Sequence, residues 1–351
     1  MMVFGIDPHK QTHTAVAADE LGRKKAEKTV RARQEGYREL IAWARGLEPG
    51  ERKWAVEDVR HVAAGLVREL MAAGEEVVFV PTRLMAQARK SGRERGKSDP
   101  IDAQANARAA LREDVFLPAA RLNGRVLDVR RLADLRDDLV TERTRTMNRL
   151  RWLVHDLDPG LAPGPRALTR DKGRRILEEG LRRLPGTAGR RVALARLEAV
   201  GRLSREIAAL EEDLQALLRD LCPELLAIRG VGVVSAARLL GETGDIRRFR
   251  SSAAYARHNG TAPIPVSSAL SGTHRLNRGG NRKANAAIHR IALTQARCHP
   301  GAKAFLARRA ETKRETRKAA LRALKRHLSD VIYRTLRAAS WRLDEVPQQA
   351  A

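Results

Sequence analysis

Asp7, Glu57, Asp99 and Asp102 are the residues whose type and spacing could do chemistry in this chain. Asp7 closes a short apolar run, Val3-Phe4-Gly5-Ile6, and Glu57 closes another, Trp54-Ala55-Val56. Asp99 and Asp102 stand three residues apart at the start of an alanine-rich helical segment, Ile101 to Leu111, so both project from one face. Strand ends and helix starts bring distant residues together. Clustered carboxylates are costly unless a cation neutralises them. The chemistry expected is metal-assisted, with these four acids as ligands.

The elements that must hold the acids alternate strand and helix. Strands are predicted at 2–7, 12–19 and about 26–31, then a helix at 35–46 with Leu40 and Ile41 inward. A fourth strand runs through Trp54 to Glu57, followed by a helix from Val62 to Ala73 that ends at Gly74. Val77 to Val80 reads as a buried strand stopped by Pro81. The order β-β-β-α-β-α-β-α is that of ribonuclease-H-like folds, so an α/β domain is expected over 1–112. The basic stretch Ala88 to Lys97 reads as a flexible loop that orders on phosphates.

Charge narrows the partner. The 351 residues carry 68 Lys+Arg against 42 Asp+Glu, a formal net charge of +26. Such an excess suits a polyanion and predicts salt-sensitive binding to nucleic acid, without by itself implying catalysis. Aromatic residues are only 3% of the chain, which argues against base-stacking platforms. Cys222 and Cys298 form no Cys-x-x-Cys pair, so neither a zinc site nor a disulfide framework is expected. No apolar run approaches the ~18 residues of a membrane span. The expected setting is a reducing cytoplasm, associated with the nucleoid, and no membrane.

Two long helical stretches are expected over 121–220. In the first, Leu132, Leu135, Leu139, Leu150, Leu153 and Leu157 recur at helical spacing, before Asp158-Pro159-Gly160 and Pro163-Gly164-Pro165 break it. In the second, Val200, Leu203, Ile207, Leu210, Leu214, Leu217 and Leu221 alternate steps of three and four. That seam fits an intramolecular helical hairpin or, the favoured reading, coiled-coil dimerisation. A further region, mainly helical, is expected over 221–335, with a tail over 336–351. The Arg/Lys-rich helix beyond 301 reads as a solvated or phosphate-facing arm.

Arg229-Gly230-Val231-Gly232 between two apolar segments looks like a helix-hairpin-helix. Gly230 and Gly232 permit a tight turn whose N–H groups can hold a DNA phosphate; an ordinary packed turn is the plainer reading. Downstream, Asn259 to Gly272 is a hydroxyl-rich loop containing Ser267, Ser268 and Ser271, followed by a basic, amide-rich stretch to Lys283. Loop serines are usually turn formers, and neither a hydrolase triad nor a nucleotide-binding loop is present. His9 and His13 are four apart across a predicted strand-turn-strand, where that spacing makes no shared ligand face; a solvated or phosphate-contacting role is favoured over metal ligation.

These motifs together resemble the insertion sequence 110 family of transposases, whose relatives include the Piv-type invertases. Gly5-Ile6-Asp7-Pro8-His9-Lys10, Val56-Glu57-Asp58 and Lys97-Ser98-Asp99-Pro100-Ile101-Asp102-Ala103 look like its acidic motifs. Arg229 to Gly232, Gly241 to Asp245, Gly260 to Ile264 and Gly280 to Asn285 follow in the family's order. The resemblance implies a RuvC-like domain in which Asp7, Glu57, Asp99 and Asp102 bind Mg²⁺, and a C-terminal domain supplying a serine nucleophile. Ser268 takes the family's position after Ala262-Pro263. Ala269 replaces the usual glycine there, so Ser271, before Gly272, is the rival. The resemblance further implies donor and target DNA, a structured noncoding guide RNA, and a homo-oligomer (dimer or tetramer) in which one protomer's carboxylates face another's serine. The rival readings are a metal-only RuvC-like nuclease or junction resolvase, and a non-catalytic nucleic-acid-binding protein.

Overall fold

The computed structural model describes residues 1–57, 60–90, 98–113, 117, 124–265, 274–275, 277, 280–313 and 316–340. The chain forms two compact units: residues 1–124 with 245–251, and residues 125–244 with 252–351.

The first unit is built on a five-stranded sheet. Its strands are β1 (Met2–Pro8), β2 (Thr12–Ala18), β3 (Lys24–Arg31), β4 (Arg52–Glu57) and β5 (Glu76–Val80), in the spatial order β3-β2-β1-β4-β5. β2 is antiparallel to β1 and β3, whereas β4 runs parallel to β1 and to β5. The helices between them are α1 (Gln34–Leu47), α2 (Arg60–Ala72), α3 (Thr82–Lys90) and α4 (Asp99–Glu113). Element order and strand directions are those of a ribonuclease-H-like core, as the sequence predicts. One difference is local: Ala88 to Lys90, read as loop, is the last turn of α3, where Leu84, Met85 and Ala88 pack in the core.

Alternation along each strand assigns residues to one face or the other. Phe4, Ile6, Trp54 and Val56 pack with Leu40, Leu66 and Leu70 of α1 and α2. Val3 and Ala55 pack on the opposite face with Ala107, Ala109 and Ala110 of α4. Small residues let α4 lie very close to β1. A Cβ built on Gly5 would stand 1.9 Å from the Ala103 carbonyl oxygen, so only glycine fits there. The buried Asn106 side chain fixes the register by donating to the Ile6 carbonyl at 2.8 Å.

The second unit is helical: α5 (Arg125–Leu157), α6 (Asp171–Arg183), α7 (Ala188–Leu221), α8 (Pro223–Ala227), α9 (Val233–Thr243), α10 (Ser252–His258), α11 (Arg282–Cys298), α12 (Pro300–Lys313) and α13 (Arg317–Ala338). The two-residue strands β6 (Ile264–Pro265) and β7 (His274–Arg275) pair between α10 and α11. Here the favoured reading of the seam needs correcting. α7 packs along α5 of the same chain, and Val200, Leu203, Ile207, Leu214 and Leu221 are buried within it. Heptad spacing specifies an apolar stripe but not whose helix covers it, and the intramolecular hairpin supplies the cover. α6, which the sequence pattern did not reveal, adds Leu177 and Leu181 to that core. α13 is no free arm either. Its Ala320, Leu324, Leu328, Ile332 and Leu336 are buried, together with the polar Lys325 and Ser329. It also continues to Ala338, past the start of the expected tail.

Candidate active site

β1 and β4 end side by side because they are parallel with Ile6 opposite Val56, which brings Asp7 and Glu57 to one edge of the sheet. Residues 3, 5 and 7 share the α4 face, and α4 begins with Asp99 and carries Asp102 in its first turn. Acids in a first turn also complement the helix dipole. Asp7 and Asp99 come together at the end of β1, with ligand atoms of both and of His9 within 4.8 Å of one another, while Glu57 and Asp102 stand near enough for their charge to act on Asp7. Asp7 and Asp102 are both buried, whereas the Asp99 side chain is about half-exposed (51%).

Electrostatics mark Asp7 as the strained member. Burial pushes its carboxyl up to about 6; His9 opposes the rise, and the charges of Asp102, Asp99 and Glu57 add to it. Glu75, in the same unit, behaves in the opposite way. Burial would raise it too, but hydrogen bonds from Arg52, Trp54 and Arg45 outweigh burial and hold it below the usual carboxylate range. One buried acid is fully paired and structural. The other is crowded by like charge, which a divalent cation would relieve.

Two neighbours were not assigned to this site from sequence. Arg89 of α3 donates to Asp102 Oδ1 at 2.8 Å. His9 Nε2 lies 3.2 Å from Asp7 Oδ2 and 3.3 Å from Asp99 Oδ1, so the imidazole contacts carboxylates rather than only solvent. The signal for His9 was the two-residue step from Asp7. His13 is separate: it lies in β2 opposite Pro8, fully buried and stacked on Tyr37 at 5.5 Å. Burial pushes its imidazole down to about 4, so it is a neutral core residue and not a solvated one.

Ser268 and Ser271 lie outside the described residues, in the segment between β6 and β7. The chain that leads into and out of that segment is described, and it is clasped by buried polar groups. Asn259, fully buried, donates to Ser329 Oγ at 2.8 Å and accepts from the Thr261 amide and hydroxyl. Its carbonyl accepts from Asn285, whose own side-chain oxygen accepts from Lys325 Nζ at 2.6 Å. Lys325 is buried, and desolvation lowers its pKa. Asn281 donates through its amide to the His258 carbonyl and through its side chain to Glu242, and it caps α11. Gly280 must be glycine, since a Cβ there would stand 2.3 Å from the Gly260 nitrogen. The motifs at 260–264 and 280–285 thus form the two ends of one clasp; Lys325 and Ser329, far along the chain, carried no sequence signal.

Gly230 and Gly232 stand in the turn between α8 and α9. Gly230 has φ +87°, a left-handed conformation that glycine adopts without strain, and the turn is tied down by Gln295 donating to the Arg229 carbonyl at 2.6 Å. Gly232 caps α9 with open space where a side chain would stand.

Comparison with known proteins agrees with this layout. Residues 4–159 match a family model described as transposase, of the DEDD type, and residues 222–307 match the model for the IS116/IS110/IS902 transposase family. The chain is 29% identical to the 44.8 kDa protein of insertion element IS116 from Streptomyces clavuligerus, over 95% of this chain and 94% of that one. It is 28% identical to the 42 kDa protein of IS900 from Mycobacterium paratuberculosis, over 95% of each. The transposase of insertion sequence IS1111A from Coxiella burnetii is 25% identical over 84% of this chain and 77% of its own length. Among solved structures, T. thermophilus RuvC in complex with a Holliday junction substrate aligns over 34% of this chain and 99% of its own, at 17% identity and a TM-score of 0.27.

The molecule is thus a transposase, of the class of enzymes that cut and rejoin DNA. Within that class the chain belongs to the IS110 family. Among the described residues no helix is long and apolar enough to cross a membrane.

Proposed function

We propose that this transposase moves an insertion sequence by joining DNA covalently to a serine beside a divalent cation. The observation that carries the reading is the gathering of acids around Asp7, where burial and like charge raise a carboxyl to about 6 and ligand atoms of Asp7 and Asp99 stand within 4.8 Å of each other. Hard oxygen donors fit Mg²⁺, with Asp7, Glu57, Asp99 and Asp102 as the residues that would hold it. A cation bound there would neutralise charge on the scissile phosphate.

The chain's own part is to present a nucleophile and hold the DNA. Ser268 Oγ attacks phosphorus: the O–P bond to serine forms as a P–O bond to deoxyribose breaks, and the sugar oxygen leaves with a proton. One ester replaces another, so rejoining needs no ATP. The hydrogen-bonded clasp at Asn259, Gly280 and Asn285 fixes the described chain before Ile264 and after Gly280. Gly230 and Gly232 offer backbone N–H groups to a DNA phosphate. The net charge of +26 supports contact with donor and target DNA and with a structured guide RNA. A homo-oligomer, in which one protomer's carboxylates serve its neighbour's serine, completes the proposal, as does a cytoplasmic, nucleoid-associated location. The α7 seam does not argue for that oligomer, because α5 occupies it.

The test is strand cleavage of DNA carrying the element's end, with its flanking transcript added, in Mg²⁺ and in chelator. Cutting should vanish with chelator, with Asp7→Asn and with Ser268→Ala. Cutting that survives Ser268→Ala but not Asp7→Asn makes water the nucleophile and the protein a metal-only nuclease. Loss on Ser271→Ala instead moves the nucleophile three residues.

A further inference from the structure

We propose that His9 is a fifth protein ligand of the same cation, its Nε2 joining the carboxylates of Asp7 and Asp99 in one donor set. The inference rests on the carboxylates being a metal site and adds a nitrogen donor to it. Three observations carry it. First, ligand atoms of Asp7, His9 and Asp99 all lie within 4.8 Å of one another, the size of a coordination sphere. Second, Nε2 is nearly equidistant from the two carboxylates, at 3.2 and 3.3 Å, so it sits between them and not beside one. Third, the backbone holds it there. The His9 amide donates to the Thr12 carbonyl at 2.9 Å, closing the β1–β2 turn, and Pro8 fixes φ just before it. The turn thus leaves the His9 side chain on the side of Asp7 and of Asp99 at the start of α4.

A nitrogen donor changes which ions the site favours. Carboxylate oxygens alone suit Mg²⁺ and Ca²⁺, whereas an imidazole raises affinity for first-row transition ions such as Mn²⁺. The side chain is about half-exposed (51%), which leaves its far edge in reach of solvent while Nε2 faces the acids.

The probe is Mn²⁺ alone, titrated into the full-length protein by calorimetry, with pulsed electron paramagnetic resonance on the bound ion. Wild-type protein should bind Mn²⁺ and show coupling to one imidazole ¹⁴N. His9→Ala should lose that coupling and weaken Mn²⁺ binding about tenfold or more, with a smaller effect on Mg²⁺. Wild-type Mn²⁺ without a ¹⁴N signal overturns the inference, and that reading needs no variant to fold. Unchanged or tighter Mn²⁺ binding by His9→Ala also overturns it, the latter because the imidazole would then be a competing cation. Failure of the underlying metal site looks different: no Mn²⁺ binding by wild type, and no difference from Asp7→Asn, would remove the carboxylate site and His9 with it.

Discussion

Around Asp7, acids hang from the ends of a hydrogen-bonded sheet and one helix, and their charges crowd. Around Asn259, a stretch of chain is clasped by amides, a hydroxyl and a lysine, and nearly every polar group has a partner. The first arrangement stores repulsion that a cation would release; the second spends its hydrogen bonds on fixing backbone. The contrast of Asp7 with Glu75 repeats this inside one unit, since burial pushes both carboxyls up, yet one ends raised and the other, held by three hydrogen bonds, lowered. Partners, not burial, separate a site from a scaffold.

The sharpest way to break that contrast is Asp7→Asn. Strand cleavage should fall about a hundred- to a thousandfold, as expected for losing several kcal/mol of metal-assisted stabilisation. Metal-free stability at pH 7 should instead rise, by up to about 3 kcal/mol, because a charge that burial and its neighbours disfavour is gone. The sign follows from proton binding. Between 3.8 and about 6 the folded state holds a proton on Asp7 that the unfolded state has released, so stability falls as pH rises through that window. Urea midpoints with and without divalent cation, from pH 4 to 7, measure both effects. An Asp7→Asn protein no more stable than wild type would contradict the repulsion.

Gly5→Ala comes next. Its Cβ meets the Ala103 carbonyl and must push α4 from the sheet, costing about 3 kcal/mol and separating Asp99 and Asp102 from Asp7. The check is a combined loss of urea midpoint and of Mn²⁺ affinity. His13, in the core of the first unit, should oppose Asp7 in its pH response. Its imidazole is depressed to about 4, so stability is lost as pH falls from 6.5 towards 4. His13→Phe, which keeps the stack on Tyr37, should gain about 2 kcal/mol relative to wild type at pH 5 and little at pH 8. The smallest effect belongs to the clasp. Asn285→Ala removes one donor and one acceptor and should cost about 1–2 kcal/mol, with DNA binding retained and cleavage impaired. If it leaves cleavage intact, the clasp holds the fold and not the nucleophile's segment.

Much of the first unit was legible in sequence because its strands are buried and end in charge. Val3-Phe4-Gly5-Ile6-Asp7 and Trp54-Ala55-Val56-Glu57 each read as a strand with an acid at its tip, and the parallel pairing of β1 and β4 joined the tips. The contact of His9 with the acids was missed because its spacing to His13 was weighed instead of its two-residue step from Asp7. The second unit was less legible. α6 has only Leu177 and Leu181 buried among charges, too thin a stripe after two Pro-Gly breaks. The α7 stripe was plain, but periodicity carries no information on whether the covering helix belongs to the same chain. Lys325 and Ser329 reach the clasp only through tertiary packing, which no local pattern encodes.

The most direct measurement is to quench a cleavage reaction in denaturant, digest the protein and map any nucleotide-bearing peptide by mass spectrometry. The expected result is one adduct, a phosphodiester on Ser268, present in wild type with Mg²⁺ and absent from both Ser268→Ala and Asp7→Asn. Cut DNA without any adduct, or an adduct that persists in Ser268→Ala, would contradict a serine working beside the four carboxylates.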